Sequence, residues 1–387
     1  MEKVKLWTAP FITMGSVNFI QFFTQYVLVT TLPLVIMDTF AGTQVEAGMA
    51  MTAFQLGTCI FRPIAGHFID QTNKKRFLLA SLLLFTVIIF AFNALFSMEE
   101  IYVLRFIHGI FFSLATTAAA AIAVLVIPPT RRGEGIGYFS VTTNLAMVVG
   151  PLAGLLLYQQ FSDAVLFLVL SMAAVVALIL SFVVPLPEQA IQPAAHKAKG
   201  SFLSRFIEVR SLPASLFGGL VFFAYGGILS FISLYAKNLG LGSVTGLFFT
   251  VFALVIVLSR PIIGPVFDHF GPKYIIYPGF ALFIAGLLLF SQVQTEIPFL
   301  AAAAIIGLGF GALSPSFQTL AIQSVPPDRA GAATATYFWF LDIFVGLAAA
   351  ILGFVALYIG YEFMYGAVST GVLIAAAILY TLHQLKN

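Results

Sequence analysis

Charge is what this sequence has least of. Asp, Glu, Lys and Arg together make up 9% of its 387 residues, against about 25% in an ordinary soluble domain. So little charge cannot cover a water-facing surface of this size, which excludes a soluble enzyme, a nucleic-acid-binding module and a disordered chain. The net charge of +3 is too small to argue for a nucleic-acid partner. A single cysteine, Cys59, excludes an intramolecular disulfide framework and a cysteine metal cage. The five histidines, His67, His108, His196, His269 and His383, show no metal-ligand spacing. No HExxH, phosphate-cradling glycine loop or Ser-His-Asp set is found, so no metal, cofactor or catalytic activity is expected. What the sequence does have is apolar: 60% of it is hydrophobic, including 42 phenylalanines. Side chains of that kind need no hydrated shell in a lipid bilayer.

A helix needs roughly 20 apolar residues to cross the hydrocarbon core. Twelve such stretches can be read between charged or turn-rich breaks, at about 8–36, 45–69, 77–96, 101–127, 135–158, 164–184, 211–236, 243–267, 274–292, 298–325, 330–358 and 361–382. The first is too long for a signal peptide and lacks a small-residue cleavage site. The longest break, 185–210, is rich in Pro, Ala and basic residues and divides the chain into six-span halves, 1–184 and 211–387. Within the break, FLSRFIEVR (202–210) reads equally as an amphipathic surface helix or as a solvated linker. With the N-terminus in the cytosol, one side of the membrane carries Lys3, Lys5, Lys74, Lys75, Arg76, Arg131, Arg132, Lys197, Lys199, Arg205, Arg210, Lys273, Arg329 and Lys386, and the other only Lys237. That asymmetry predicts a multi-pass protein of a cytoplasmic-type membrane with both termini cytosolic.

The two halves repeat. RPIAGHFID begins at Arg62 and RPIIGPVFD at Arg260, 198 positions further on; Pro128, Pro129, Arg131 and Gly133 match Pro326, Pro327, Arg329 and Gly331, and Gly109 matches Gly307 at the same offset. A duplicated six-span unit that alternates access to a central site is the design expected of a secondary transporter.

Three segments carry a more specific likeness. Gly66, Asp70 and the basic run Lys74-Lys75-Arg76 form a loop after span 2; Arg105-Phe-Ile-His108-Gly109 lies in span 4; Gly150-Pro151-Leu-Ala-Gly154 lies in span 5. In this order they resemble the major facilitator superfamily over essentially the whole length, and in particular its twelve-span drug:proton antiporters. Gln71, Asn73 and Ala146 depart from that group's pattern. The resemblance implies an all-α membrane protein of two pseudo-symmetric six-helix bundles. It also implies that Asp70 latches the halves against the start of span 11, near Ala330–Ala332, where helix amides stabilise an anion. Lys74 is either part of that gate or a positive-inside anchor. Asp268 and Arg260 are the second half's counterparts in gating. Gly66 would permit close helix approach, and Gly150, Pro151 and Gly154 would let span 5 pack closely on span 8.

Charge inside a span is costly and marks function. Arg62, Arg105, Arg260 and Asp342 are such charges, and Asp342 is the only carboxylate near a span centre. A carboxyl that alternates between a wet, paired setting and a dry, unpaired one loads and releases a proton. Asp342 is therefore expected to carry a coupling proton, its rival role being a static helix staple, with Arg62 or Arg105 as partner. By the repeat, Asn144 is the counterpart of Asp342 and would face Arg260. His108, one turn from Arg105, would join it or bond a backbone carbonyl.

Asn18, Gln21 and Gln25 share one face of span 1 and, with His108 of span 4, Asn144 of span 5 and Gln318 of span 10, are candidate cavity residues. No acid stands at mid-depth in span 1, so a permanently cationic substrate is less favoured than a neutral, zwitterionic or amphipathic one. The function expected is proton-coupled efflux of small molecules by a monomer. A sugar or metabolite symporter or uniporter, and a non-transporting sensor or scaffold, remain as alternatives.

Overall fold

The computed structural model describes residues 5–94, 97–188 and 206–386. The linker residues 189–205 lie outside them, so the first four residues of the segment read as a surface helix, 202–210, fall outside the described residues; at its end lies a 3-10 turn, Val209–Ser211. Among the described residues twelve long helices stand out: α1 Ala9–Asp38, α2 Gln44–Gln71, α3 Lys74–Ala91, α4 Met98–Val126, α5 Arg132–Gln160, α6 Asp163–Val183, α7 Leu212–Asn238, α8 Thr245–Phe270, α9 Lys273–Phe290, α10 Glu296–Gln323, α11 Ala330–Ile359 and a final α12. The last of these runs from Tyr361–Phe363 through a π-helical turn, Met364–Ser369, into Thr370–Lys386. No strand occurs among the described residues. Eleven of the twelve are long and apolar enough to cross a membrane; α2, which carries Glu46, Arg62 and Asp70, is not among them.

Local chemistry sets the helix ends. The side chain of Thr43 accepts from the Glu46 amide while Glu46 returns a bond to the Thr43 amide, and Ser97 and Glu100 form the same reciprocal cap on α4. Asn73 accepts from the Arg76 amide, which starts α3 at Lys74, three residues before the expected limit of 77. The matched proline pairs stop α4 and α10: each is followed by a single 3-10 turn, Pro129–Arg131 or Pro327–Arg329, before the next helix. Gly271 (φ +96°) ends α8 and Gly360 (φ +101°) separates α11 from α12, both in a backbone region that favours glycine.

The residues form two compact units. The first comprises Met1–Pro128, Thr142–Val209 and Val325–Thr336; the second comprises Pro129–Val141, Arg210–Ser324 and Tyr337–Asn387. Each thus takes in the opening turns of a helix, α11 or α5, whose remainder belongs to the other unit. The first unit's core gathers Val27, Leu28, Leu32, Phe54, Phe85, Phe92, Phe112 and Leu170. The second is more aromatic. Tyr225 stacks on Phe310 with centroids 4.3 Å apart, and Phe248, Phe290 and Phe299 meet at 5.1–5.6 Å. The many phenylalanines are spent on this packing.

Glycines set the closest helix approaches. A β-carbon on Gly109 of α4 would strike the Phe54 carbonyl of α2, and one on Gly307 of α10 would lie 2.8 Å from the Phe252 carbonyl of α8. The repeat therefore preserves the same contact in both units. Gly109→Val should push α2 and α4 apart and lower the yield of monodisperse, folded protein in size-exclusion chromatography. Gly346→Ala, where nothing lies within 4 Å, should leave the elution profile unchanged.

Candidate functional site

Two carboxylates sit at helix N-termini in matching geometry. Asp70, at the end of α2 and 2% exposed, accepts from the amides of Gly331 (3.0 Å) and Ala332 (2.8 Å) in the first turn of α11, all inside the first unit. Asp268, near the end of α8, accepts from the amides of Gly133 (2.8 Å) and Glu134 (3.0 Å) in the first turn of α5, all inside the second. Every residue of one set lies 198 positions from its counterpart in the other. The first amides of a helix have no partner within it and carry its positive dipole end, so each carboxylate meets two free donors and a favourable field.

Small residues make these seats possible. A β-carbon on Gly66 would collide with Ala335 and come within 3.2 Å of Ala332 Cα, and its counterpart Gly264 would meet Glu134 Cα at 2.6 Å. Without those carbons the helix termini come within reach of the carboxylates. The expected close contact of span 5 with span 8 is thus made by Gly133 and Gly264. Gly150 and Gly154 do something else: their missing β-carbons admit α1, at Tyr26 Cβ (2.8 Å) and Thr31 Cγ2 (3.1 Å). Pro151 lies inside α5 between them.

Ion pairs surround the first seat. Lys74 is buried, in the field of Asp70 and Asp328. Arg329, just before α11, pairs with Glu208 at 2.7 Å, and the Glu208 amide donates to Thr336 Oγ1 at 2.9 Å. At the second seat Arg131 pairs with Glu134 at 2.6 Å.

The intramembrane arginines are buried. Arg105 of α4, fully inaccessible, donates from Nη1 to Gln25 Oε1 (3.2 Å), meets His108 Nδ1 at 3.0 Å and lies 4.4 Å over the Phe54 ring. His108 thus joins Arg105, the first of the two expected alternatives. Because the guanidinium only donates, the bonded Nδ1 is the acceptor. No carboxylate is among the partners of Arg105. Arg62, 3% exposed, donates to Thr116 Oγ1 at 3.4 Å. Arg260 is 2% exposed on α8.

The polar candidates are also packed in. Asn18 donates to Thr142 and Thr143 of α5 at 2.9 and 2.8 Å, Gln318 accepts from Ser140 at 3.3 Å, and both are buried. Neither Nε2 nor Oε1 of Gln21 has a hydrogen-bond partner, although its side chain is fully buried. Asn144 is 9% exposed in the first unit, and Asp342 is half-buried on α11 in the second.

The sequence matches the family model described as Major Facilitator Superfamily over residues 14–349 and 242–385. The chain belongs to that superfamily. Among relatives of this superfamily chain, an uncharacterized transporter of the same type from Methanocaldococcus jannaschii is 24% identical over 93% of this chain and 92% of its own length. Another from Burkholderia mallei is 26% identical, with 97% and 93% covered. The crystal structure of the human organic anion transporter MFSD10 (TETRAN) superposes with a TM-score of 0.80 at 14% identity, covering 96% of this chain and 98% of that one. The fucose transporter FucP in its outward conformation does so with 0.75 at 16%, covering 97% and 99%. At such identities the likeness is one of fold. This chain is accordingly a multi-pass membrane protein of a secondary transporter family.

The sequence alone assigned no site role to Glu208 or Gly264, and gave Gly133 only as a match in the repeat. For the two glycines a signal was present, since Gly133 and Gly264 sit 198 positions from Gly331 and Gly66. For Glu208 there was none, because it lies at the end of a linker that has no counterpart in the repeat.

Removing a charged acceptor from a buried bond costs about 1.5–3 kcal/mol. Asp70→Asn should therefore speed amide hydrogen exchange at Gly331 and Ala332 by at least tenfold while leaving Gly133 and Glu134 as they are. Asp268→Asn should do the reverse. Mass spectrometry of exchanged peptides reads both.

Proposed function

We propose that this chain exports small amphipathic molecules, neutral or zwitterionic, in exchange for protons. On this reading the halves 1–184 and 211–387 alternate access to a central site, and the protein works as a monomer with both termini in the cytosol. The observation that carries the proton half of the reading is Asp342. It stands twelve positions past Ala330, roughly 18 Å along α11, and is the one carboxylate placed mid-helix among the described spans. A half-buried carboxyl at that depth is costly when charged and dry, and tolerable when wet or neutral, so its protonation responds to which side of the membrane it meets. Arg105 and Arg62 are the cations of the first half that would answer its charge.

Three buried arginines against a single mid-helix acid also weigh on the substrate. A permanent cation would enter a site whose fixed charge is positive, which disfavours it by several kcal/mol at low dielectric. The Asp70 and Asp268 seats serve as gates, each a pair of hydrogen bonds that breaks and remakes as a unit. Lys74 supports the first seat, and the lysine and arginine excess on one face supports the orientation.

Inside-out vesicles under an imposed pH gradient test the reading. With a panel of amphipathic dyes and a fluorescent pH indicator, uptake that dissipates the gradient supports export with proton exchange. Dye movement in the opposite direction, with the proton, supports a symporter. Asp342→Asn should abolish gradient-driven uptake while counterflow exchange of the same dye persists. Driven uptake at the wild-type rate in that variant would remove Asp342 from the coupling step.

A further inference from the structure

The second unit holds a buried positive charge that its protein partners leave unanswered. Arg260 is 2% exposed, yet neither its Nε nor its Nη2 has a hydrogen-bond partner. No carboxylate pairs with it among the described residues, and Tyr138 is a titratable neighbour. The acids nearby are engaged elsewhere. Asp268 is held by the amides of Gly133 and Glu134, and Glu134 by Arg131. A guanidinium removed from water with two donors unbonded carries a large desolvation cost, and buried charges of this kind are normally paired.

Arg260 also lines a small cavity. Its walls include Arg260, Gly133, Gly264, Ser316 and Thr319, and its volume is about 10 Å³, the room one water-sized particle needs. Ser316 and Thr319 each lend the hydroxyl proton to a carbonyl one turn back, of Ala312 and Pro315, both at 2.7 Å. Those carbonyls belong to the helix, so either hydroxyl is free to redirect its proton toward an occupant.

The repeat supplies the comparison. The counterparts of Ser316 and Thr319 in the first half are Ala118 and Ala121, both fully buried. There the equivalent arginine, Arg62, donates to Thr116. Hydroxyls therefore replace alanines on the side where the arginine lacks a protein acceptor.

We propose that Arg260, Ser316 and Thr319 bind a single monatomic anion of the halide class. The anion accepts from N–H groups of Nε and Nη2 and from the redirected hydroxyls, and it neutralises the one charge in this region that no side chain balances. The cavity's narrowness favours a single-atom occupant over a polyatomic anion. A water molecule would fill the space but leave the charge.

Thermal melts of the purified full-length protein in sodium chloride and in sodium gluconate, at equal ionic strength, test this. The site predicts a melting temperature that rises with chloride and not with gluconate, growing with the logarithm of concentration above half-saturation. Bromide should substitute, and its anomalous scattering in a crystal should fall beside Arg260. The double variant Ser316→Ala/Thr319→Ala, which copies the residues of the first half and so is suited to this packing, should weaken the chloride effect about tenfold. Arg260→Gln should abolish it if that variant folds. Equal melts in the two salts, a chloride effect unchanged in the double variant, or bromide bound elsewhere would each overturn the proposal, the first leaving a water in the cavity.

Discussion

A carboxylate at the end of a membrane helix must find hydrogen-bond donors, and a helix N-terminus must find acceptors; in this protein each need meets the other. Asp70 and Asp268 take two amides apiece from the first turns of α11 and α5, so neither group is left bare in a medium that cannot hydrate it. The arrangement depends on glycine at four places. Gly66 and Gly264 admit the facing helix, and Gly133 and Gly331 admit the carboxylate. Had any of these been a larger residue, the helix ends would stand too far off for the bonds to form, and four charged or polar groups would need other partners.

The same constraint sorts the arginines. Arg62 and Arg105 find neutral acceptors in a threonine, a glutamine and a histidine, and Arg105 also lies over an aromatic face. Among the described helices Arg62, Arg105 and Arg260 are the mid-helix cations, with Asp342 the one mid-helix acid set against them. In a transporter this imbalance is of use, since the protein's charge state can change only where a proton or a charged solute arrives.

The fold was largely readable because lipid imposes so narrow a pattern. Twelve apolar stretches and an offset of 198 residues lead to twelve helices and to matched halves, and the capping residues Thr43, Asn73 and Ser97 stand at helix starts. The Asp70 seat could be placed from its motif and the helix dipole, and its partner Asp268 from the repeat. What remained hidden was direction. Gly150 and Gly154 mark a smooth helix face but do not name the neighbour that their missing β-carbons admit, which is α1. Asn18, Gln21 and Gln25 share a face, yet one bonds to α5, one to Arg105 and one to nothing, because helical periodicity tells which residues are alike and not what lies opposite them. Glu208 was invisible for another reason: its pair with Arg329 joins a non-repeated linker to a repeated helix.

The low hydropathy of α2 has a consequence for how the chain is made. A segment bearing Glu46, Arg62 and Asp70 gains little by entering lipid alone, and the insertion machinery releases helices sideways largely on that basis. Its most extensive packing is on α4, through the carbonyl-to-glycine contact at Phe54 and Gly109. That partner is synthesised only after α3. During biogenesis α2 must therefore linger in the translocation channel or at its rim until α4 emerges to shield Arg62 with Thr116. Biogenesis of the N-terminal half is in this sense paced by its least lipophilic helix.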